Sequence, residues 1–164
     1  MVNYRRNRVP GGTYFFTVNL HDRTSTLLVD RIDDLRTSFR AVREKHPFHI
    51  DAMVVLPDHL HAIWTLPAGD DGYATRWRLI KTRFTQSLGP AAVPKIWQHR
   101  YWEHTICDDY DFETHVNYVH INPVKHGHVK LASAWPHSSI HRYIREGIVA
   151  MDWACDVREG EFGE

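Results

Sequence analysis

Two short β-prone runs, residues 48–56 and 59–66, are separated only by Pro57-Asp58, and this constrains the fold more than any other feature of the chain. A link that short turns one strand straight back against the other. On either side of the pair the hydrophobic period changes. Residues 13–20 (TYFFTVNL) are aromatic and β-branched and follow Pro10-Gly11-Gly12, which reads as a strand. Residues 30–45 place Ile32, Leu35, Phe39 and Val42 at spacings of three and four, an amphipathic helix stopped before Pro47. A second helix is expected over residues 73–88, with Trp77, Ile80, Phe84 and Leu88 buried and Gly89-Pro90 ending it. Residues 102–106 read as a fourth strand, and a third helix starts near residues 109–111. Pro123 disfavours helical backbone at the residue before it, so that helix is expected to finish around Asn122.

The order βαββαβ plus a helix predicts an α+β, ferredoxin-like (RRM-like) antiparallel sheet with helices on one face and an additional C-terminal tyrosine-bearing helix. A chain of 164 residues is about one domain. Residues 1–154 are expected to form it, with residues 155–164 an acidic, flexible tail. No apolar run approaches the ~20 residues of a membrane span, and the first residues do not resemble a secretory signal. Cys107 and Cys155 are the only cysteines, which excludes a disulfide scaffold and a cysteine zinc site. A cytoplasmic protein without membrane contact is the expectation.

The net charge is +0, yet the charges are segregated. Residues 74–102 contain no acid but hold Arg76, Arg78, Lys81, Arg83, Lys95 and Arg100, and the N-terminal arm carries Arg5, Arg6 and Arg8. Such asymmetry can build a basic surface on a neutral protein. Arg5, Arg6, Arg8, Arg78, Lys81 and Arg83 are candidate phosphate contacts, with Trp97, Tyr101 and Trp102 as stacking surfaces for unpaired bases.

The chemistry is concentrated in two segments. In the strand His59-Leu60-His61-Ala62-Ile63-Trp64, alternate side chains share a face, so His59 and His61 project together while Leu60, Ala62 and Trp64 pack inward. Neutral imidazoles are common metal ligands. In the third helix Phe112, Val116 and Val119 form the stripe toward the sheet, while Tyr118 and Asn122 lie together on roughly the opposite stripe with His115 beside them. A tyrosine one turn from an amide suits a nucleophile beside a metal ligand. An N,N,O donor set with water favours Mg²⁺ or Mn²⁺, although imidazoles also admit Zn²⁺. A phenol has a reference pKa near ~10 and needs a proton acceptor to attack at neutral pH. His115, Lys125 or metal-bound water could serve. Tyr101 and Tyr110 are rival nucleophiles without a ligand-type residue four positions on.

Several blocks carry a family resemblance. Pro57-Asp58-His59-Leu60-His61 is similar to the motif of the HUH endonucleases, and the run from His115 to Gly127 (HVNYVHINPVKHG) resembles the tyrosine helix of single-tyrosine transposases. The openings YRR and GGTYFFT, the stretch IWQHRYWEH and the later WPHSS resemble the REP-associated branch. The resemblance implies an enzyme that cuts and rejoins single-stranded or hairpin DNA through a 5′-phosphotyrosine. His59 and His61 would be ligands, Tyr118 the nucleophile, and Asn122 the third ligand where many insertion-sequence relatives have glutamine. It also implies a monomer or a homodimer. A DNA-binding ferredoxin-like module without chemistry, and a hydrolase using activated water, are the competing expectations.

Overall fold

The computed structural model describes residues 6–90 and 95–154. Arg5 and the acidic tail therefore lie outside the described residues. Four strands, β1 (Thr13–Asn19), β2 (His49–Val55), β3 (His59–Thr65) and β4 (Trp102–Thr105), form one antiparallel sheet in the order β2-β3-β1-β4. The helices are α1 (Leu27–Asp30), α2 (Ile32–Lys45), α3 (Tyr73–Ser87), α4 (Asp109–Lys125) and α5 (Ile140–Arg145). The βαββαβ order holds, with α1 a single turn added ahead of α2 and α5 added after α4. The first helix thus breaks at Arg31, whose backbone sits at φ −115°, ψ 36°.

Alternation in the central strands divides the core. Leu60, Ala62 and Trp64 of β3 join Tyr14, Phe16 and Val18 of β1 against Leu35, Phe39, Trp77, Ile80 and Phe84 of α2 and α3. Trp64 and Trp77 stack there with ring centroids 4.1 Å apart. Phe15, Ala52, Val54 and Ile63 face the other way and pack against Val116 and Val119 of α4. The helices of the βαββαβ unit, α2 and α3, share one face as expected, and the additional helix α4 covers the other. Both faces must be covered because β3 is apolar or histidine on both sides and nearly all buried.

Two corrections concern α4. It continues past Asn122 to Lys125 with Pro123 inside it. Ile121, Asn122 and Pro123 are all buried, and His126 N–H donates to the Asn122 carbonyl while His128 N–H donates to that of Pro123. Gly127, at φ +75°, then turns the chain away. Packing of the final turn outweighs the local penalty of the proline. The second correction is that Tyr118 and Asn122 do not face away from the sheet. Asn122 is 0% exposed and Tyr118 packs at the rim of the α4 core, so the sheet-facing stripe is wider than the apolar residues alone indicate.

The outer edge of β2 is partly capped by residues 137–139. Val55 N–H donates to the His137 carbonyl and Ser139 N–H to that of Met53, and Trp135 Nε1 donates to the Val55 carbonyl. Among the described residues no helix is long and apolar enough to cross a membrane.

Candidate active site

His61 pairs across the sheet with Thr17 on β1 and with Val54 on β2. Its Nδ1 lies 2.8 Å from Thr17 Oγ1. The ring of His59 is fixed from the other end of the motif, its Nδ1–H donating to Asp58 Oδ1 at 2.8 Å. Asp58 Oδ2 accepts from Arg23 Nε at 2.6 Å. With both Nδ1 atoms occupied, each imidazole has only Nε2 left for another partner. The rings stand edge to face, 5.0 Å between centroids.

Both imidazoles are held neutral. Burial pushes His59 down, and the Asp58 carboxylate offsets this only in part. Burial pushes His61 well below its ordinary value, and the nearby His59 imidazole further disfavours a charge there. Burial also drives the Asp58 carboxyl up, but bonds from Arg23 and His59 outweigh it and leave the group lowered. Neutral rings with an anchored Nδ1 are the form in which histidine accepts a cation at Nε2.

Helix α4 brings the rest. Tyr118 meets His61 edge to face at 5.2 Å and Phe15 at 5.7 Å. Lys125 Nζ stands 5.2 Å from the centre of the Tyr118 ring. Asn122 lies close enough to both imidazoles to favour their charged forms. Even so, neither Asn122 Oδ1, nor Asn122 Nδ2, nor His61 Nε2 makes a hydrogen bond among the described residues, although all three are buried. Orphaned polar atoms in a protein interior are costly. Two lone-pair atoms of this kind beside a second imidazole are the donor set that a divalent cation would satisfy, so His59, His61 and Asn122 fit a metal ion.

Thr17 and His126 left no sign in the residue pattern. Thr17 is reached only across the strand register, and His126 closes on His59 at 5.2 Å through the extended end of α4. Asp58 could have been found from its position beside His59. A third group, also unseen in sequence, joins β4 to the start of α4. His104 Nε2 lies 2.8 Å from Asp111 Oδ2, and His115 Nδ1 lies 2.8 Å from the Asp111 carbonyl and 3.0 Å from Oδ1. These ligand-type atoms lie within 4.8 Å of one another and are compatible with a cation. The two rings, however, stack at 4.6 Å and 18°, and Asp111 already accepts from both. Hydrogen bonding accounts for the group. With Nδ1–H committed to Asp111, His115 keeps Nε2 as its free acceptor.

The basic and aromatic candidates divide between the faces. Trp102, 59% exposed, pairs with Thr17 in the register and so shares the face of His61 and Tyr118. Arg6, Arg78, Lys81, Trp97 and Tyr101 line a cavity beside α3. Arg8 and Arg83 are exposed. Arg76, counted in the basic stretch, is 3% exposed. It holds Asp70 and the carbonyls of His46, Pro47 and Gly72. Tyr110 is 80% exposed at the start of α4, and Tyr101 packs on the α3 side of the sheet.

No family model matches the chain. A REP-associated tyrosine transposase of Escherichia coli strain K12 is 49% identical over 164 residues, covering 100% of this chain and 98% of its own. A Haemophilus influenzae protein classed with it is 42% identical over 93% of each chain. The solved structure of the REP-associated tyrosine transposase bound to a REP hairpin has a TM-score of 0.91 at 49% identity, covering 100% of this chain and 98% of that one. A transposase-type structure from Deinococcus radiodurans, 17% identical with a TM-score of 0.50 over 72% of this chain and 95% of its own, shows the fold alone. The four-stranded antiparallel sheet with its added helix is thus the fold of a class of transposase-type proteins. Within it, this chain belongs to the REP-associated tyrosine transposase family.

Proposed function

We propose that this protein is a metal-dependent, HUH-type tyrosine transposase that cleaves and rejoins single-stranded or hairpin DNA through a 5′-phosphotyrosine. The observation that carries the reading is the meeting of His59, His61, Tyr118 and Asn122, from two elements distant in sequence, around unpaired Nε2 and amide atoms. The relative solved with a REP hairpin supports hairpin DNA as the substrate class.

Tyr118 Oη attacks the scissile phosphorus. The new P–O bond to tyrosine forms as the bond to the 3′-oxygen breaks, leaving a 5′-phosphotyrosine and a free 3′-hydroxyl. The phosphodiester energy is kept, so that hydroxyl can reverse the step. His115 is the better-suited acceptor for the phenolic proton, because Asp111 fixes its tautomer and leaves Nε2 open. The Lys125 ammonium beside the Tyr118 ring favours negative charge as it develops on the phenolic oxygen. His59, His61 and Asn122 would hold Mg²⁺ or Mn²⁺, which supplies Lewis-acid polarisation of the phosphate. Asp58 and Thr17 keep the two rings in the orientation this requires.

The test is a denaturing gel of end-labelled hairpin DNA carrying a single-stranded flank. Wild-type protein with Mg²⁺ or Mn²⁺ gives a slow-migrating covalent band, and Tyr118→Phe or EDTA removes it. Binding without a band under any divalent metal returns the protein to a non-catalytic module. Cleavage that survives Tyr118→Phe would mean that water is the nucleophile.

A further inference from the structure

A groove at the β2 edge of the sheet has no part in the chemistry above. It encloses about 300 Å³ between α2, β2 and the segment that caps β2, the small end of the range for ligand pockets, about 300–1,000 Å³. Its floor, Ile50, Met53 and Val55, packs with the core under α2 and α3 and so lies on the side of the sheet away from α4 and Tyr118. Because β2 and β4 are the two outer strands, the groove is also at the opposite edge from the cavity beside α3.

A cationic rim surrounds this apolar floor. Arg36 and Arg43 of α2 and Arg142 of α5 stand around it, and the described lining residues include no carboxylate and no Phe, Tyr or Trp. The three cations are not equally engaged. Arg142 donates to the Ile50 and Asp51 carbonyls. Arg43 Nε donates to the Phe48 carbonyl at 3.1 Å, and its guanidinium lies over that ring. Among the described residues Arg36 pairs only with Asp33, 3.8 Å away and 96% exposed, an ion pair that water largely screens. On the capping segment, burial pushes the His137 imidazole down and the nearby Arg36 charge adds to this. The ring is therefore neutral at pH 7, yet its Nδ1 is buried without a hydrogen-bond partner among the described residues. Leaving such an atom unpaired is costly.

An occupant of this groove has to bring negative charge to the rim and apolar surface to the floor. Inorganic phosphate meets the first need and not the second, and a nucleobase finds no ring here on which to stack. A carboxylate on an aliphatic chain meets both. Its two oxygens match the guanidinium fork, and one of them can also accept from an Nδ1–H of His137. We propose that the groove binds a small aliphatic monocarboxylate, its carboxylate between Arg36 and His137 and its chain over Leu35, Met53 and Ile50. This site goes beyond the DNA chemistry and does not rest on it.

The test uses the whole chain with ¹³C in its methionine methyls, three residues in all. Met53 lines the groove, whereas Met151, 68% exposed, reports unspecific adsorption. Octanoate should move the Met53 signal saturably and leave that of Met151 in place. Hexanoate should bind about tenfold more weakly through the loss of two buried methylenes, and octanamide about tenfold more weakly through the loss of the charge. In Arg36→Gln, octanoate should fall to the affinity of octanamide. Equal affinities for octanoate and octanamide in the wild type overturn the site. So does the absence of a saturable Met53 shift, a Met151 shift in step with it, or an equal shift with inorganic phosphate alone. Hairpin DNA that displaces octanoate from Met53 would assign the groove to nucleic acid and overturn the proposal as well. Should Arg36→Gln fail to fold, the wild-type series alone decides.

Discussion

Thr17 does for His61 what Asp58 does for His59: each occupies an Nδ1 and leaves only Nε2 for a further partner. Only one of the two was legible in the sequence, since Asp58 adjoins its histidine whereas Thr17 arrives through the β1–β3 register. Asn122 was legible as a residue type one turn beyond Tyr118, but its direction was not, because a fully buried amide escapes any pattern built on apolar spacing. Thr17→Val keeps the shape and removes the hydroxyl. It should leave buried His61 Nδ1 unpaired, cost about 1–3 kcal/mol in unfolding free energy and weaken Mn²⁺ binding about 10–100-fold. Urea denaturation and calorimetric titration read the two effects, and an unchanged Mn²⁺ affinity would show that the hydroxyl does not orient the ring.

Helix α3 shows how an element can be placed correctly while its face is misread. Its span and its Trp77, Ile80, Phe84 stripe follow from periodicity, yet Arg76, which composition assigns to a basic surface, is an internal strut tying α3 to the end of α2 and the loop before it. Charge counts cannot reveal this, because the partners are three backbone carbonyls and Asp70. Arg76→Met removes all five bonds and should cost on the order of 3 kcal/mol, the lower end for a broken buried pair because Asp70 is 38% exposed. The pair also sets a pH window. Hydrogen bonds from Arg76 and from the Gly72 N–H hold Asp70 down at about 2 against an ordinary 3.8. A depressed carboxyl stabilises the fold above its unfolded value, and that stability drains away as pH falls from about 4 toward 2. The difference in urea midpoint between wild type and Asp70→Asn should therefore be full at pH 5 and close below about pH 3. A gap that stays constant across this range would remove the pair from the acid response.

On the scale of the whole molecule, the order β2-β3-β1-β4 makes β4 an outer edge, with α4 and Tyr118 on one face and the basic cavity on the other. The hairpin at Pro57-Asp58 and the βαββαβ order already implied this sheet. The side taken by α4 did not follow, since an apolar stripe reports that a helix packs and not on which face it packs. Exposed Trp102 sits on β4 on the Tyr118 face, so a strand touching both Trp102 and Lys81 has to pass around that edge. Trp102→Ala should cost about 1–3 kcal/mol in binding a flanked hairpin through lost base stacking. The two side chains lie on opposite faces and share no partner among the described residues. The double variant Trp102→Ala with Lys81→Met should then lose the sum of the single effects to within about 0.5 kcal/mol. Fluorescence anisotropy on the four proteins closes the cycle. A coupling energy well beyond that margin would mean that both residues grip the same nucleotide, and the path around the β4 edge would have to be abandoned.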